Sequence, residues 1–233
     1  YKTWGVVNLK EWIDSYESSR FTQIAYDMAV IARHTLKYPK ILEYTSIKEY
    51  NLRQGAFKLY NTNKLLWWYQ GADGFKTGWT NEAKHCLTAT AKRNGLRLIA
   101  VVMAAPENHG NFRDAMKLFN YGFARYAYKN YSPRGSLCGI VKVGKGAVDD
   151  VEVVAEEDVG TIYTKGEEKK LRAEKSLVSY VDAPVKKGQK LGEYQVYKNG
   201  EISKQVNLVA AHDVPRAGLM KQILKVFAET YLL

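Results

Sequence analysis

The chain has 233 residues, 46% of them hydrophobic and 25% charged, ordinary globular usage that excludes a disordered chain and leaves room for two compact units. Lys and Arg number 35 against 24 Asp and Glu, and no apolar run reaches the ~20 residues of a membrane-spanning helix. Two cysteines, Cys86 and Cys138, make neither a disulfide framework nor a thiolate zinc site, so a stapled mini-domain, a membrane span and a coiled coil are all excluded.

The charge is uneven. Residues 1–130 carry 19 Lys/Arg against 10 Asp/Glu, a net of +9, whereas residues 131–233 carry 16 against 14, a net of +2. A basic half points to an anionic partner, or is a solvated surface kept soluble by its charge. Nucleic acid is one candidate, but the sequence has no recognition-helix, K-homology or RNA-recognition signature, and we expect no nucleic-acid partner.

The first twenty residues open on Tyr1 and carry no clear structural signal; we expect a processed or cut product. From Thr22 to Tyr38 the apolar positions Ile24, Met28, Ile31, Ala32 and Leu36 recur at three and four, which predicts an amphipathic helix that Pro39 stops. Residues 40–70 are short and broken: Arg53-Gln-Gly55 reads as a turn between two extended pieces, and Asn61–Trp68 as a helical turn. Three strands are predicted at Phe75–Thr80, Lys84–Arg93 and Leu96–Ala105, the last two joined by Asn94-Gly95. That dipeptide is the strongest short hairpin signal, because a type I′ turn needs φ > 0 at both central positions. A helix over Phe112–Tyr128 packs on this sheet, so the first half reads as α plus antiparallel β.

The pattern breaks at Tyr131-Ser-Pro-Arg-Gly135, where a domain boundary is placed. Residues 137–211 are short strands between turns at Gly144-Lys-Gly146, Asp149-Asp150, Lys165-Gly166, Lys187-Gly188 and Asn199-Gly200, which predicts a small all-β sandwich. After Pro215, the residues Leu219, Met220, Ile223, Leu224, Phe227 and Tyr231 share one helical face. Such a helix lies in a membrane interface, caps the sandwich or pairs with another chain, and periodicity does not choose among these. The organisation is therefore a first domain over 1–130, a β-sandwich over 131–214 and an amphipathic helix over 215–233.

The sharpest chemical signal is Gly71-Ala-Asp-Gly-Phe-Lys-Thr-Gly-Trp-Thr80. A Lys-Thr-Gly tripeptide on a sheet strand belongs to the motif set of serine acyl-transferring enzymes that act on D-Ala-D-Ala and β-lactams. Lys76 brings positive charge for a terminal carboxylate and for proton traffic around a nucleophile. The Thr77 hydroxyl can hydrogen-bond that carboxylate. Gly78 lets the strand backbone approach a ligand with no Cβ in the way, and the Trp79 N–H can serve as an oxyanion-hole donor. Lys76 is thus the candidate catalytic residue and Thr77, Gly78 and Trp79 the candidate substrate-binding ones. His34, His85, His109 and His212 are scattered without metal-ligand spacing, so neither a metal nor a cofactor is expected. Cys86 and Cys138 read as free thiols. Trp67, Trp68, Tyr69 and Trp79 flank the site, either as packing or as the lining of a glycan or peptide groove.

Tyr26-Asp-Met-Ala, Asn61-Thr-Asn63, the D-G-x-K-T-G-x-T run, AKRNGLRLIAVV and MKLFNYGF together resemble D-alanyl-D-alanine carboxypeptidases, low-molecular-mass penicillin-binding proteins that trim peptidoglycan stem peptides. The resemblance is close over residues 22–128 and looser through the β-rich part. It implies a partial β-lactamase/transpeptidase-like α+β domain followed by a β-sandwich, and an extracytoplasmic place in a bacterial cell envelope. It also implies stem peptides ending in D-Ala-D-Ala as substrate, β-lactams as ligands if the serine is supplied, and a membrane surface met through residues 217–233.

The departures are equally definite. None of the nine serines has Lys three positions on, so the family's S-x-x-K is absent, and S-x-N is absent too. The triplets Tyr128–Asn130 and Tyr197–Asn199 follow Lys-Thr-Gly, whereas the family's second motif precedes it. The arginine that many members carry at the start of the last helix falls on Asn111, with Arg113 two residues later. We expect the nucleophile-bearing segment to lie before Tyr1 or on a second chain, this chain alone being inactive. Without that segment the Leu96–Ala105 strand would present a long apolar edge. The alternative is a non-catalytic relative that binds peptidoglycan or another anionic envelope polymer.

Overall fold

A computed structural model describes residues 18–220 and Ile223, and side chains from residue 23 on. The chain divides into two compact units, the first ending at Ala127 and the second starting at Tyr128.

The first unit opens with helix α1 (Ser18–Thr35). Of its predicted stripe, Ala32 is fully buried while Ile24, Met28 and Ile31 stay exposed. The helix ends ahead of Pro39, as expected, and Pro39 itself opens α2 (Pro39–Thr45) in the first helical turn, where a missing N–H costs no intrahelical bond. A hairpin follows, β1 (Glu49–Leu52) and β2 (Phe57–Tyr60), around the expected turn at Arg53–Gly55. Helix α3 (Leu65–Trp68) is the expected helical turn.

Strands β3 (Ala72–Thr80), β4 (Lys84–Arg93) and β5 (Leu96–Ala105) form an antiparallel sheet in that order. Asn94 and Gly95 have φ of 47° and 81°, as the type I′ turn demands. Leu87, Ala89 and Ala91 of β4 alternate onto the face that meets Ala100 and Val102 of β5 and Phe112, Ala115 and Phe119 of helix α4 (Gly110–Arg125), with Leu65 and Tyr69 closing the cluster. The approach is close: a Cβ on Gly122 would stand 2.5 Å from Leu98 Cδ1. Arg93 lies over the Tyr69 ring at 4.2 Å and the Phe123 ring at 4.9 Å, and its Nε donates to Gln70 O. The helix expected to run to Tyr128 stops at Arg125, and Tyr126–Ser132 is a strand, β6. Among the described residues β5 pairs with β4 alone, so the apolar strand lies at the sheet edge.

The second unit is all-β. Strands β7 (Leu137–Gly144), β8 (Asp150–Ala155), β10 (Leu171–Leu177), β11 (Tyr180–Asp182), β12 (Lys190–Lys198) and β13 (Glu201–Ala210) make one sheet in the order β10-β12-β13-β8-β7-β11, while β9 (Val159–Thr164) pairs with β6. All neighbours in the large sheet are antiparallel except β11 and β7. Val141, Val153, Val159, Val196 and Leu208 are central in a valine-rich core, as β-branched residues on alternating positions require. Positive φ at Lys145, Gly166, Gly188, Asn199 and Gly200 marks four of the five expected turns; Asp150, placed in the fifth, begins β8.

Residues 215–217 are seated in this unit. The Ala147 N–H donates to Pro215 O, the Ala217 N–H to Lys145 O, and Arg216 Nε to Ala183 O. Leu219, Met220 and Ile223 are exposed; the remainder of the amphipathic helix expected over 215–233 lies outside the described residues. No described helix is long and apolar enough to cross a membrane.

Candidate functional site

Strand β3 carries all four candidate residues, and its position follows from a set of side-chain ties made from one flank. The Thr45 hydroxyl, at the end of α2, donates to Asp73 O at 3.1 Å. Asn61 Nδ2 reaches Thr45 O at 3.2 Å and Ile47 O at 2.9 Å. Asn61 Oδ1 accepts from the Asn63 N–H, and Asn63 Oδ1 accepts from the Leu65 N–H, starting α3. From the other side of the sheet Arg97 of β5 holds the Asp73 carboxylate with two bonds of 2.7 and 2.8 Å and also reaches the buried Thr90 hydroxyl. Such a forked pair fixes geometry as well as charge. The register then places Lys76 opposite Thr88, Thr77 opposite Leu87 and Gly78 opposite Cys86.

Since β3 has a neighbour on one side only among the described residues, alternate backbone groups on its outer edge meet no further strand. Lys76 and Gly78 share one face of the strand and Thr77 and Trp79 the other. Lys76 is exposed and its ammonium donates to Thr77 O. Trp79 is 59% exposed, its ring 6.2 Å from His85. The Thr77 hydroxyl is 2.7 Å from the Thr62 hydroxyl.

The two glycines of the motif are held by opposite requirements. A Cβ on Gly74 would lie 2.6 Å from Thr45 Oγ1, so packing demands glycine there. At Gly78 the nearest atom to such a Cβ is Cys86 Cβ at 3.9 Å, an ordinary contact, and its φ is not positive. At position 78, then, neither packing against the described residues nor backbone conformation demands glycine.

The aromatic group divides. Tyr69 belongs to the core, donating its hydroxyl to Asn120 Oδ1; burial raises its ionisation above the ordinary tyrosine value, with Arg93 pulling the other way. Trp68 packs edge-on against His109 and Phe112 at the start of α4 yet stays exposed, as do Trp67 and Trp79. Asn111, where the family pattern has arginine, is 3% exposed, and its Nδ2 is taken by Cys86 O. Arg113 pairs with Glu107. Neither brings a free cation to β3. Cys86 is half-buried and Cys138 buried, both unpaired. Among the described residues no three His, Cys, Asp or Glu side chains gather into a metal-binding group. Sequence reasoning missed the contributions of Thr45, Thr62 and Arg97; the Asn-Thr-Asn triplet was the visible trace of one of them.

Residues 14–107 match the family of D-alanyl-D-alanine carboxypeptidases, and residues 126–216 match the C-terminal domain of penicillin-binding protein 5. The chain is 36% identical over 200 residues to D-alanyl-D-alanine carboxypeptidase DacF of Bacillus subtilis, covering 84% of this chain and 51% of that protein. It is 32% identical over 203 residues to DacA of Haemophilus influenzae, covering 85% and 51%. Among solved structures, penicillin-binding protein 5 from Haemophilus influenzae superposes with a TM-score of 0.58 at 30% identity, over 82% of this chain and 56% of that one. Penicillin-binding protein 3 from Streptococcus pneumoniae gives 0.59 at 25% identity, over 81% and 56%. The chain spans about half the length of the curated relatives it matches.

Proposed function

For a chain that belongs to the D-alanyl-D-alanine carboxypeptidase family, we propose that β3 is the ligand-binding wall of a peptidoglycan-modifying, serine-type D-Ala-D-Ala carboxypeptidase of the cell envelope. The observation that carries this reading is Gly78, a glycine that no described neighbour requires, between an exposed lysine and an exposed tryptophan on a sheet edge that no other described strand covers. A stem peptide lying along that edge would set its terminal carboxylate against the Thr77 hydroxyl, with Lys76 supplying the positive charge that Asn111 does not. The scissile carbonyl would lie one residue further along, where the Trp79 N–H can hold the oxygen as it becomes an oxyanion. A β-lactam presents a carboxylate and a carbonyl of the same kind to the same groups.

Acyl transfer needs a serine whose proton is taken by a nearby base. None of the nine serines in these 233 residues stands in S-x-x-K, so the residues described here bind and polarise, and the nucleophile of the carboxypeptidase reading is supplied from outside them. That same observation favours a second reading, a relative that holds stem peptides without cleaving them.

Two measurements test this. Incubated with a fluorescent penicillin and run on a denaturing gel, the purified chain is expected to carry no covalent label; a labelled band would overturn the statement that it holds no acylable serine. The genomic sequence in frame ahead of the Tyr1 codon decides between the two readings. S-x-x-K and S-x-N there support the carboxypeptidase, and an open frame lacking both supports the binding relative.

A further inference from the structure

We propose that Thr62 is a positioning residue that orients the Thr77 hydroxyl toward a ligand carboxylate; this rests on the reading of β3 as a carboxylate-binding wall. The two hydroxyl oxygens are 2.7 Å apart, the ordinary distance for one O–H donating to another. Each hydroxyl has one proton, so only one of the two donates to the other. If Thr77 donates to Thr62, it has nothing left to give an anion. If Thr62 donates to Thr77, the Thr77 proton is free to point outward, and its bond to a carboxylate is strengthened by the one it accepts. An incoming carboxylate selects the second arrangement because an anion accepts hydrogen bonds and cannot donate them.

The loop that carries Thr62 is built to hold one hydroxyl still. Its neighbours on both sides spend their side chains on backbone: Asn61 bonds to Thr45 O, Ile47 O and the Asn63 N–H, and Asn63 to the Leu65 N–H. Thr45, which receives Asn61, also donates to Asp73 O at the start of β3, so loop and strand share one anchor. Of the three residues in Asn-Thr-Asn, Thr62 is the one whose side chain has a hydrogen bond to β3 among the described residues. With Asn111 engaged by Cys86 O and Arg113 by Glu107, recognition of a carboxylate here leans on hydroxyl orientation more than an arginine-based pocket would.

The test compares Thr62→Val, which keeps the shape and removes the hydroxyl, with Thr62→Ser, which keeps the hydroxyl. Dissociation constants are measured by NMR titration with N-acetyl-D-Ala-D-Ala and with the same dipeptide as its C-terminal amide. The native chain and Thr62→Ser are expected to prefer the acid, whereas Thr62→Val weakens acid binding about threefold to tenfold, the range for one neutral hydrogen bond, and leaves the amide unchanged. An equal loss for acid and amide in Thr62→Val, as a merely structural role would give, overturns the proposal, and so does a preference fully retained. If the native chain itself does not distinguish acid from amide, the carboxylate reading of β3 fails. The χ1 couplings of Thr77 then decide the positioning separately: a single rotamer in native and Thr62→Ser but averaging in Thr62→Val upholds it, and equal populations in native and Thr62→Val overturn it.

Discussion

Replacing Gly74 by alanine tests whether the Thr45 anchor sets the position of β3. The new Cβ would stand 2.6 Å from Thr45 Oγ1 and 3.3 Å from Thr45 Cβ, so the hydroxyl must rotate away from Asp73 O, its present acceptor at 3.1 Å. Losing that bond costs about 1 kcal/mol, and the residual crowding about 1–3 kcal/mol. The smaller conformational freedom of alanine in the unfolded chain returns about 0.5 kcal/mol, which leaves a net loss of about 1.5–3.5 kcal/mol. Thr45→Ala alone forfeits the hydrogen bond, about 1 kcal/mol. The double variant has no oxygen left to collide with, so its loss should stay near ~1 kcal/mol and fall well short of the sum of the two single losses. The assay is urea unfolding followed by tryptophan fluorescence, since all five tryptophans lie within residues 1–79 and Trp67, Trp68 and Trp79 belong to the first unit. Additive losses, within ~0.5 kcal/mol, would refute the argument that Gly74 is there to admit Thr45.

Two other outcomes are expected. Gly78→Ala places a methyl on the Lys76 face of β3 where the nearest fold atom is 3.9 Å away; stability by the same fluorescence assay should change by less than ~1 kcal/mol, while the NMR-measured affinity for N-acetyl-D-Ala-D-Ala falls. A stability loss as large as that of Gly74→Ala would show that Gly78 serves packing after all. In the second unit, hydrogen bonds from Lys190, and then from Gln195 and Gln205, hold the Glu193 carboxyl below the ordinary glutamate range. A lowered folded value stabilises the unit above the unfolded value and is lost as pH falls through the folded one. Amide protection in β12 and β13 should therefore decline below about pH 4.3, the ordinary glutamate value, and Glu193→Gln should flatten that decline. An unchanged pH profile in the variant would remove Glu193 from the account.

What the sequence made legible was local. Asn94-Gly95 announces a turn by its own φ requirement, and the bounds of β4 and β5 follow from it on both sides. Pro39 ends the first helix as expected, and the same fixed φ makes it a good first residue of α2, which the broken pattern after it does not announce. At the end of α4 two local signals competed. Phe119, Phe123 and Tyr126 keep helical spacing past the true end at Arg125, because the period cannot show that Tyr126 and Tyr128 have joined a strand. Strand β3 begins at Ala72, three residues ahead of the expected Phe75, and the side chain that Gly74 admits, Thr45, lies 29 residues earlier in the chain.

The same contrast explains why the site motif could be found but not its setting. Gly74 and Gly78 are identical letters four positions apart in one strand. One is required by a side chain on a helix end; the other meets only Cys86 Cβ, at an ordinary 3.9 Å, among the described residues. The two are told apart by distances and not by spelling, and the proposed ligand wall rests on the second. Asp73 shows the complementary case, for its partner Arg97 lies across the sheet on β5 and only the register brings them together. The proposed site residues Lys76, Thr77 and Gly78 are consecutive in the chain, so a motif can nominate them. Thr45, Thr62 and Arg97 had to await the fold, because they act on that strand from the side.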